Sequence, residues 1–265
     1  MLDYHIHSNI SFDGECWITE LADAAVKAGL REIAVTDHAD IIGRGKLEAP
    51  YDQKDYFGQL TAAREAFEGK LSILCGVELG QGIHDTKLAG KVLSALPYDF
   101  VIGSHHNIRK TLDFYFLKVR DEEEGDKILS AYVEELIETA LWGNFSVMGH
   151  ITYPLRYMRG RDGLDVSLNP HYEKLERLFK ILAEKGLGIE VNTSGLRKFL
   201  GETMPDLDMV RLYKSCGGEI ITVGSDAHTA ADVGAGIAEG VELIRKAGFR
   251  YITKFRELKP EFTPI

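Results

Sequence analysis

The chain has 265 residues, 45% of them hydrophobic, and carries 31 Lys and Arg against 41 Asp and Glu, a formal net charge of −10 at pH 7. That length and apolar content suit one large core, since a single α/β barrel commonly takes about 250 residues, and one domain over residues 1–265 is expected. The acidity and the lack of a basic cluster argue against a broad nucleic-acid surface, which needs many Lys or Arg contacts to phosphates, and no apolar run approaches the roughly 18 residues of a membrane span.

Cys16, Cys75 and Cys216 are scattered and show no CxxC spacing, so neither a disulfide framework nor a cysteine zinc site is expected. Met1 runs straight into an apolar strand without a charged leader, and a reducing cytoplasm fits. That first strand ends in Asp3-Tyr4-His5-Ile6-His7. In an extended segment residues i and i+2 project from one face, so both imidazoles can reach one ion. A helix follows over 18–28, with Thr19, Glu20 and Asp23 as early capping and acidic residues and Gly29 as the stop.

Residues 31–36 form a strand leading to Asp37-His38, and 51–67 a helix. The alternation continues with a strand over 71–78 ending in Glu78, a helix over 87–95, a strand over 100–103 before Ser104-His105-His106, and a long helix over 122–142. Residues 146–148 lead to His150; then come a helix over 172–185, a strand over 188–192 and a helix over 207–215. Last are a strand over 219–223, which enters Gly224-Ser225-Asp226-Ala227-His228, and a helix over 233–247. The unit is βα seven times over, and the loop 39–50 reads as an insertion near the site.

In a parallel βα barrel the C-terminal strand ends open onto one face, where loops assemble the active site. Each candidate ligand lies at such an end. Taken singly, a histidine is more often a satisfied core or loop residue than a ligand; the whole set at seven strand ends points instead to a catalytic multimetal centre.

These motifs resemble the PHP family, named for polymerase and histidinol phosphatase, over nearly the whole chain. The resemblance rests on His5-x-His7 with Asp13, His38, Glu78, the GSxH of residues 103–106, His150 and Asp226-x-His228. It implies a distorted TIM-like (β/α)7 barrel with a trinuclear metal site. By position, His5, His7, Glu78 and Asp226 would hold one ion, Glu78 would bridge to a second held by His106 and His150, and Asp13, His38 and His228 would hold a third. His105 is the alternative to His106 if the register shifts by one residue. Mixed imidazole and carboxylate donors suit zinc, manganese or iron.

Three divalent ions outweigh the carboxylates Asp13, Glu78 and Asp226, so an acidic protein would contain an electropositive pocket. Such a pocket fits a small phosphomonoester, polarised by the ions and attacked in line by activated water. Asp226 and His228 are expected to be essential to turnover. Arg156 and Arg197 are candidates for gripping phosphate, ahead of Arg159 and Arg161, because a guanidinium can pair bidentately with its oxygens. Glu190 and Asn192 share a strand face and could meet a substrate amine or satisfy loop backbone groups. Asp37 could orient a liganding histidine or cap a turn. His84 and His171 are expected to be loop and helix-start residues.

The run Glu190-Val191-Asn192-Thr193-Ser194-Gly195-Leu196-Arg197 resembles the histidinol-phosphatase branch, which implies L-histidinol phosphate as substrate and a place in histidine biosynthesis. The alternatives are another small phosphomonoester, nucleic-acid ends, or a noncatalytic metal-binding module. A nuclease would need a basic track or stacking aromatics beside the pocket. A structural metal site would have its coordination closed by protein ligands.

Overall fold

The apolar runs become buried strands, and the amphipathic segments become helices that cover them. The computed structural model describes residues 1–43, 46–47 and 51–265. Along the chain come β1 (Leu2–Ile6), α1 (Ile18–Lys27), β2 (Glu32–Val35), a small pair β3 (Ile41–Gly43) and β4 (Lys46–Leu47), α2 (Gln53–Ala66), and β5 (Ser72–Gly80). The middle holds α3 (Thr86–Ala95), β6 (Phe100–Ser104), α4 (Glu122–Trp142), β7 (Val147–Met148), and α5 (Tyr153–Leu155), which passes into a π-helical turn at Arg156–Arg161. The last third comprises α6 (Tyr172–Glu184), β8 (Gly188–Asn192), α7 (Ser194–Arg197), α8 (Leu207–Ser215), β9 (Ile221–Gly224), α9 (Ile237–Lys246), and a hairpin of β10 (Tyr251–Arg256) and β11 (Lys259–Pro264).

Seven strands pair in parallel in the order β1-β2-β5-β6-β7-β8-β9. The ends of this sheet meet where β9 reaches β1: Asp226 N donates to His5 O at 2.8 Å, and His7 N donates to Ala227 O at 2.8 Å. The result is a nearly closed, distorted (β/α)7 barrel. Its closure sets the two most distant ligand motifs of the sequence side by side.

Local chemistry accounts for the element ends. In α1, Ile18, Leu21, Ala22 and Ala25 are buried, a stripe at i, i+3, i+4 and i+7 that packs on the barrel. The Glu20 carboxylate accepts from Trp17 N at 2.7 Å, and Gly29 at φ 72° leaves the helix in a left-handed turn. Asp121 caps α4 by accepting from Glu124 N, and Gly143 ends it at φ 75°. The expected helix over 51–67 begins at Gln53, because Asp52 takes the cap. The one expected from 233 begins at Ile237, because Gly234 and Gly236 both hold positive φ.

The β3–β4 pair, the short α5 and α7, and the β10–β11 hairpin are elements that the βα pattern does not foretell; the hairpin is the largest of them. It packs against the N-terminal strand ends: Phe255 N donates to Tyr4 Oη at 3.1 Å, Ile221 N donates to Thr253 Oγ1 at 3.0 Å, and Arg256 pairs with buried Glu32. Phe255 also lies 5.1 Å from Phe100, centroid to centroid. This end is thereby plugged, and the opposite end is left for chemistry. Among the described residues, no helix is long and apolar enough to cross a membrane.

Candidate metal centre

Every strand of the barrel delivers polar side chains at its C-terminal end. His5 and His7 come from β1, His38 follows β2, Glu78 lies on β5, His106 and His150 follow β6 and β7, and Asp226 and His228 follow β9. His5, His7, Glu78, His106, His150 and Asp226 are buried, an expensive arrangement for ionisable groups without partners. Glu78 sits at the centre. Its Oε2 lies 3.3 Å from His5 Nε2, 3.5 Å from His7 Nε2 and 2.9 Å from His38 Nδ1; its Oε1 lies 2.7 Å from His150 Nε2 and 3.2 Å from His106 Nε2.

Around that carboxylate the donors fall into overlapping sets whose ligand atoms lie within 4.8 Å of one another: His5, His7 and Asp226; His5, Glu78 and His150; His7, His38 and His228; and His38, Asp40 and His106. Asp13, at the rim, meets His228 Nε2 at 3.2 Å and His38 Nε2 at 3.7 Å. Every residue of the expected ligand set is thus gathered in one place. Asp40 joins them unforeseen, with its Oδ2 2.9 Å from His106 Nδ1. It stands two residues after His38 in an extended segment, the same spacing that flagged His5 and His7.

The donor set fits divalent ions on a structural test. His5 Nε2, His7 Nε2, His38 Nδ1, Glu78 Oε2 and Asp40 Oδ1 are buried without a hydrogen-bond partner, and all belong to this cluster. Buried polar atoms left unpaired cost about 1–3 kcal/mol each, so several converging on one spot form a donor set that suits a cation. Imidazole with carboxylate is a donor mix that takes zinc, manganese or iron.

The charges agree. Burial would raise the Glu78 carboxyl, yet His5, His38 and His106 hold it well below the ordinary carboxylate value. Burial works the same way on Asp226, and there His5, His7 and His228 prevail. His38, whose charge burial disfavours, is pushed up to about 9 by Glu78 and Asp40. Asp226 itself has φ 55°, a left-handed conformation rare for a residue with a side chain. Strain of this kind, worth about 1–3 kcal/mol, persists where surroundings enforce it; here the Asp226 N–H to His5 O bond does so.

Behind the imidazoles stands a layer of carboxylates. Glu190 Oε1 meets His5 Nδ1 at 2.6 Å, while Oε2 accepts from His150 N at 2.9 Å and from Asn192 Nδ2 at 3.3 Å. Both oxygens are therefore engaged inside the barrel. Asn192 Oδ1 accepts from Ser194 N at 3.0 Å. Of the two roles expected of Glu190 and Asn192, the contacts here are those to backbone groups rather than to the cavity: at 1% and 0% exposure they brace the site from behind.

Asp37 fixes a turn, and it reaches a histidine only through Ser11. It accepts from Ser8 N and Ser8 Oγ, each at 2.7 Å, which fixes the turn after β1, and from Ser11 Oγ at 2.6 Å. Ser11 Oγ in turn lies 3.2 Å from His7 Nδ1.

A cavity of about 350 Å³ opens above the cluster, within the range of small-ligand sites. Arg156 lines it, is 3% exposed, and reaches Ser194 Oγ and, at 3.6 Å, Asp226 Oδ2. Arg197 does not line it; its guanidinium donates to Asp226 O at 3.0 Å and pairs with Asp232 at 3.2 Å. Its Nη1 has no hydrogen-bond partner, and Lys198, one residue on, lines the cavity. Arg159 and Arg161 are struts, paired with Glu202 and Asp162.

His106 rather than His105 enters the cluster. His105 Nε2 turns to Thr139 Oγ1 at 2.7 Å, and burial pushes that imidazole down to about 4. His84 pairs with Glu135 at 2.7 Å and His171 with Asp126 at 3.1 Å, both structural ties to α4. Of the loop 39–50, Asp40 reaches the cavity, while residues 44–45 and 48–50 lie outside the described residues.

Comparison with known proteins matches residues 3–194 to the PHP domain model. The chain belongs to the PHP domain family. A histidinol-phosphatase of Lactococcus lactis subsp. lactis (strain IL1403) is 28% identical over 263 residues, 97% of this chain and 95% of that protein. A protein named "Probable phosphatase" from Thermoanaerobacter sp. (strain X514) is 30% identical over 254 residues, 94% of this chain and 86% of the relative. The crystal structure of the Lactococcus lactis histidinol phosphate phosphatase, complexed with zinc, L-histidinol and phosphate, superposes with a TM-score of 0.85 at 27% identity and covers 98% of each chain. PHP membership and metal binding are thus supported from two directions, the chain's own buried donors and its relatives.

Proposed function

We propose that this PHP protein is a metal-dependent phosphomonoesterase that hydrolyses L-histidinol phosphate to L-histidinol and phosphate, in histidine biosynthesis. The observation that carries the reading is the pairing of the buried His and carboxylate cluster with a full-length structural match to an enzyme holding zinc, L-histidinol and phosphate. His5, His7, Asp13, His38, Glu78, His106, His150, Asp226 and His228 would hold three divalent ions in this reading, and the centrally placed Glu78 carboxylate would serve more than one of them. One domain spans residues 1–265.

Bound there, divalent ions supply Lewis acidity to the phosphoryl group and lower the pKa of water. The chain's own groups do the rest. Arg156, buried against Tyr153 at 5.4 Å from its ring centroid, presents a fixed guanidinium to the phosphate oxygens. Asp226 and His228 tie the rim to the centre, with His228 Nδ1 3.5 Å from Asp226 Oδ1, and Arg197 anchors the Asp226 backbone behind them. Glu190 and the Asp37–Ser11 pair hold His5 and His7 in one orientation, so the ring nitrogens facing the cluster stay available as lone pairs.

A nucleic-acid substrate would need a basic track or stacking aromatics. Exposed Phe12, Tyr115, Phe116 and Phe199 do border the cavity, but Arg156 and Lys198 are the Lys and Arg residues that line it among the described residues, in a chain of net charge −10, too few to hold a polyphosphate backbone. The test is phosphate release over a panel of phosphomonoesters, with single-stranded DNA alongside, after loading with zinc, manganese or iron. Preference for L-histidinol phosphate is expected, with loss of turnover and a retained fold in His228→Ala and Asp226→Ala. Wild-type turnover in either variant would overturn the site assignment.

A further inference from the structure

One cluster of metal-type donors lies away from the cavity. His84, His105 and Glu135 each bring a ligand atom within 4.8 Å of the other two, and none of them lines the cavity above the metal centre. They come from three separate elements: His84 closes the 3-10 turn at Gly82–His84 after β5, His105 follows β6, and Glu135 lies in the middle of α4. The consecutive residues His105 and His106 turn to opposite sides, His106 to Glu78 in the centre and His105 to Thr139 on α4.

The hydrogen bonds fix where the His105 lone pair lies. Nε2 is 2.7 Å from Thr139 Oγ1 and 3.3 Å from Glu135 O, and the Thr139 hydroxyl donates its own proton to Glu135 O at 2.9 Å. Thr139 Oγ1 therefore accepts, and Nε2 carries the ring proton. The lone pair is left on Nδ1, an atom buried without a hydrogen-bond partner in a residue 1% exposed. An imidazole whose single N–H is tied to a hydroxyl or carbonyl, with the other nitrogen bare, is prepared to ligate a metal.

Glu135 is held in a matching way. Its Oε1 accepts from Arg109 N at 2.8 Å, which leaves Oε2 turned to His84 Nε2 at 2.7 Å. The Arg109 guanidinium is shared between Glu138 at 2.8 Å and Glu135 Oε1 at 3.5 Å. The side chains of His84 and Glu135 are 7% and 9% exposed. A plain histidine–carboxylate tie to α4 would be complete with these two alone. The bare His105 nitrogen is what such a tie leaves unexplained, at a cost of about 1–3 kcal/mol for a buried polar atom without a partner.

We propose that His84, His105 and Glu135 form a further divalent-metal site, separate from the centre in the barrel, whose ion ties the turn after β5 and the end of β6 to α4. Two imidazoles and one carboxylate are donors that suit zinc, with the fourth tetrahedral position open to water. Glu78 and His106 stand on those same two strand ends, so the ion would fix from behind two elements that carry ligands of the centre. The site is independent of the phosphatase reading, because it shares no residue with the cavity.

The test is elemental analysis of zinc per chain after chelator treatment, reloading with a modest excess of zinc and desalting, in wild type, His84→Gln and Glu135→Gln. Glutamine at 84 keeps a donor for Glu135 and removes the imidazole; glutamine at 135 keeps an oxygen for Arg109 N and removes the charge. Each variant should hold one zinc equivalent less than wild type, with phosphate release retained. Equal zinc content in the three proteins overturns the proposal. Loss of several equivalents also overturns it, since His84 and Glu135 would then be supports of the main centre. Anomalous scattering at the zinc edge, from wild-type crystals of protein loaded in the same way, decides without any substitution and covers the case of a variant that does not fold: a peak among the three side chains supports the site, and its absence overturns it. Both measurements read zinc alone, so a failure of the phosphatase reading would show only in the release assay.

Discussion

Replacing Glu190 with glutamine separates two roles that a buried carboxylate beside an active site can play. In the structure its oxygens serve His5 Nδ1 at 2.6 Å and the His150 N–H at 2.9 Å. A glutamine oxygen can keep one of these. Its amide nitrogen must then face a donor, either the His150 N–H or the His5 ring, in a site 1% exposed where no water can intervene. A buried donor left unpaired costs about 1–3 kcal/mol. Groups that orient liganding histidines are worth about 10- to 100-fold in metal affinity, or roughly 1.4–2.8 kcal/mol at 1.4 kcal/mol per decade. The two figures agree, so Glu190→Gln should lose zinc to a competing chelator about 10- to 100-fold more readily. At saturating metal, kcat/KM should fall on every phosphomonoester alike. Metal titration by competition with a chromophoric chelator measures the first quantity, and a two-substrate assay measures the second. Wild-type metal affinity with KM raised on L-histidinol phosphate alone would refute this reasoning and return Glu190 to the substrate.

Other consequences follow from single contacts. Arg156→Ala removes the guanidinium that lines the cavity and should lower kcat/KM about 10- to 100-fold, whereas Arg197→Ala, which loosens Asp226 from behind, should cost less; equal losses in a steady-state assay would count against the distinction. Gly224→Ala would set a methyl 2.4 Å from His5 Cβ and 2.5 Å from Glu190 Oε1. Overpacking of this kind costs about 1–3 kcal/mol, and the melting temperature should fall by about 3–10 °C in calorimetry. In the metal-free protein His38 is held at about 9, so its charge adds stability that is fully present below the ordinary imidazole value and is lost as pH rises through about 9. A liganding imidazole must be neutral, so zinc added at mildly alkaline pH should release protons into a weakly buffered solution. Absence of that release would place His38 outside the ligand set.

The ligands were legible because their signal is local and the fold makes it global. His5 and His7 share a face through the two-residue strand period, and the βα alternation alone predicts that all strand ends open on one side, whereas Asp226 and His228 converge in the turn after β9, where Asp226 holds φ 55°. Asp40 carried the same signal two residues after His38, but it lay in a segment that reads as a loop. For Glu190 the sequence leaves a substrate amine and backbone groups both open: a strand residue is known to face the barrel interior only once the register is known, and the sequence does not say whether the interior at that level is solvent or a histidine. Arg197 is the last residue of a four-residue helix and Lys198 its extended cap, φ −108° and ψ −166°, so the two neighbours point in different directions. Sequence spacing cannot choose between them. The β10–β11 hairpin has the alternation of an exposed ribbon, and its partners Tyr4 and Glu32 are more than two hundred residues away.

Those failures share a physical origin. Distances along the chain encode which face a side chain takes, while its partner is fixed by barrel closure. That closure depends on backbone bonds at residues 5–7 and 226–227, where His5 O accepts from Asp226 N and Ala227 O accepts from His7 N. These bonds also position three of the ligands, His5, His7 and Asp226. Closing the barrel and building the centre are therefore one event, in which metal bound across the β1–β9 seam stabilises the seam itself, since a ligand that binds only the folded state adds its binding free energy to folding. The metal-loaded protein should accordingly unfold at a higher denaturant midpoint than the metal-free one. Amide exchange should slow first at residues 5–7 and 226–227, and only afterwards on the far side of the barrel. Equal protection at β5 and β6, with no change at the seam, would mean that the ions bind a barrel already closed without them.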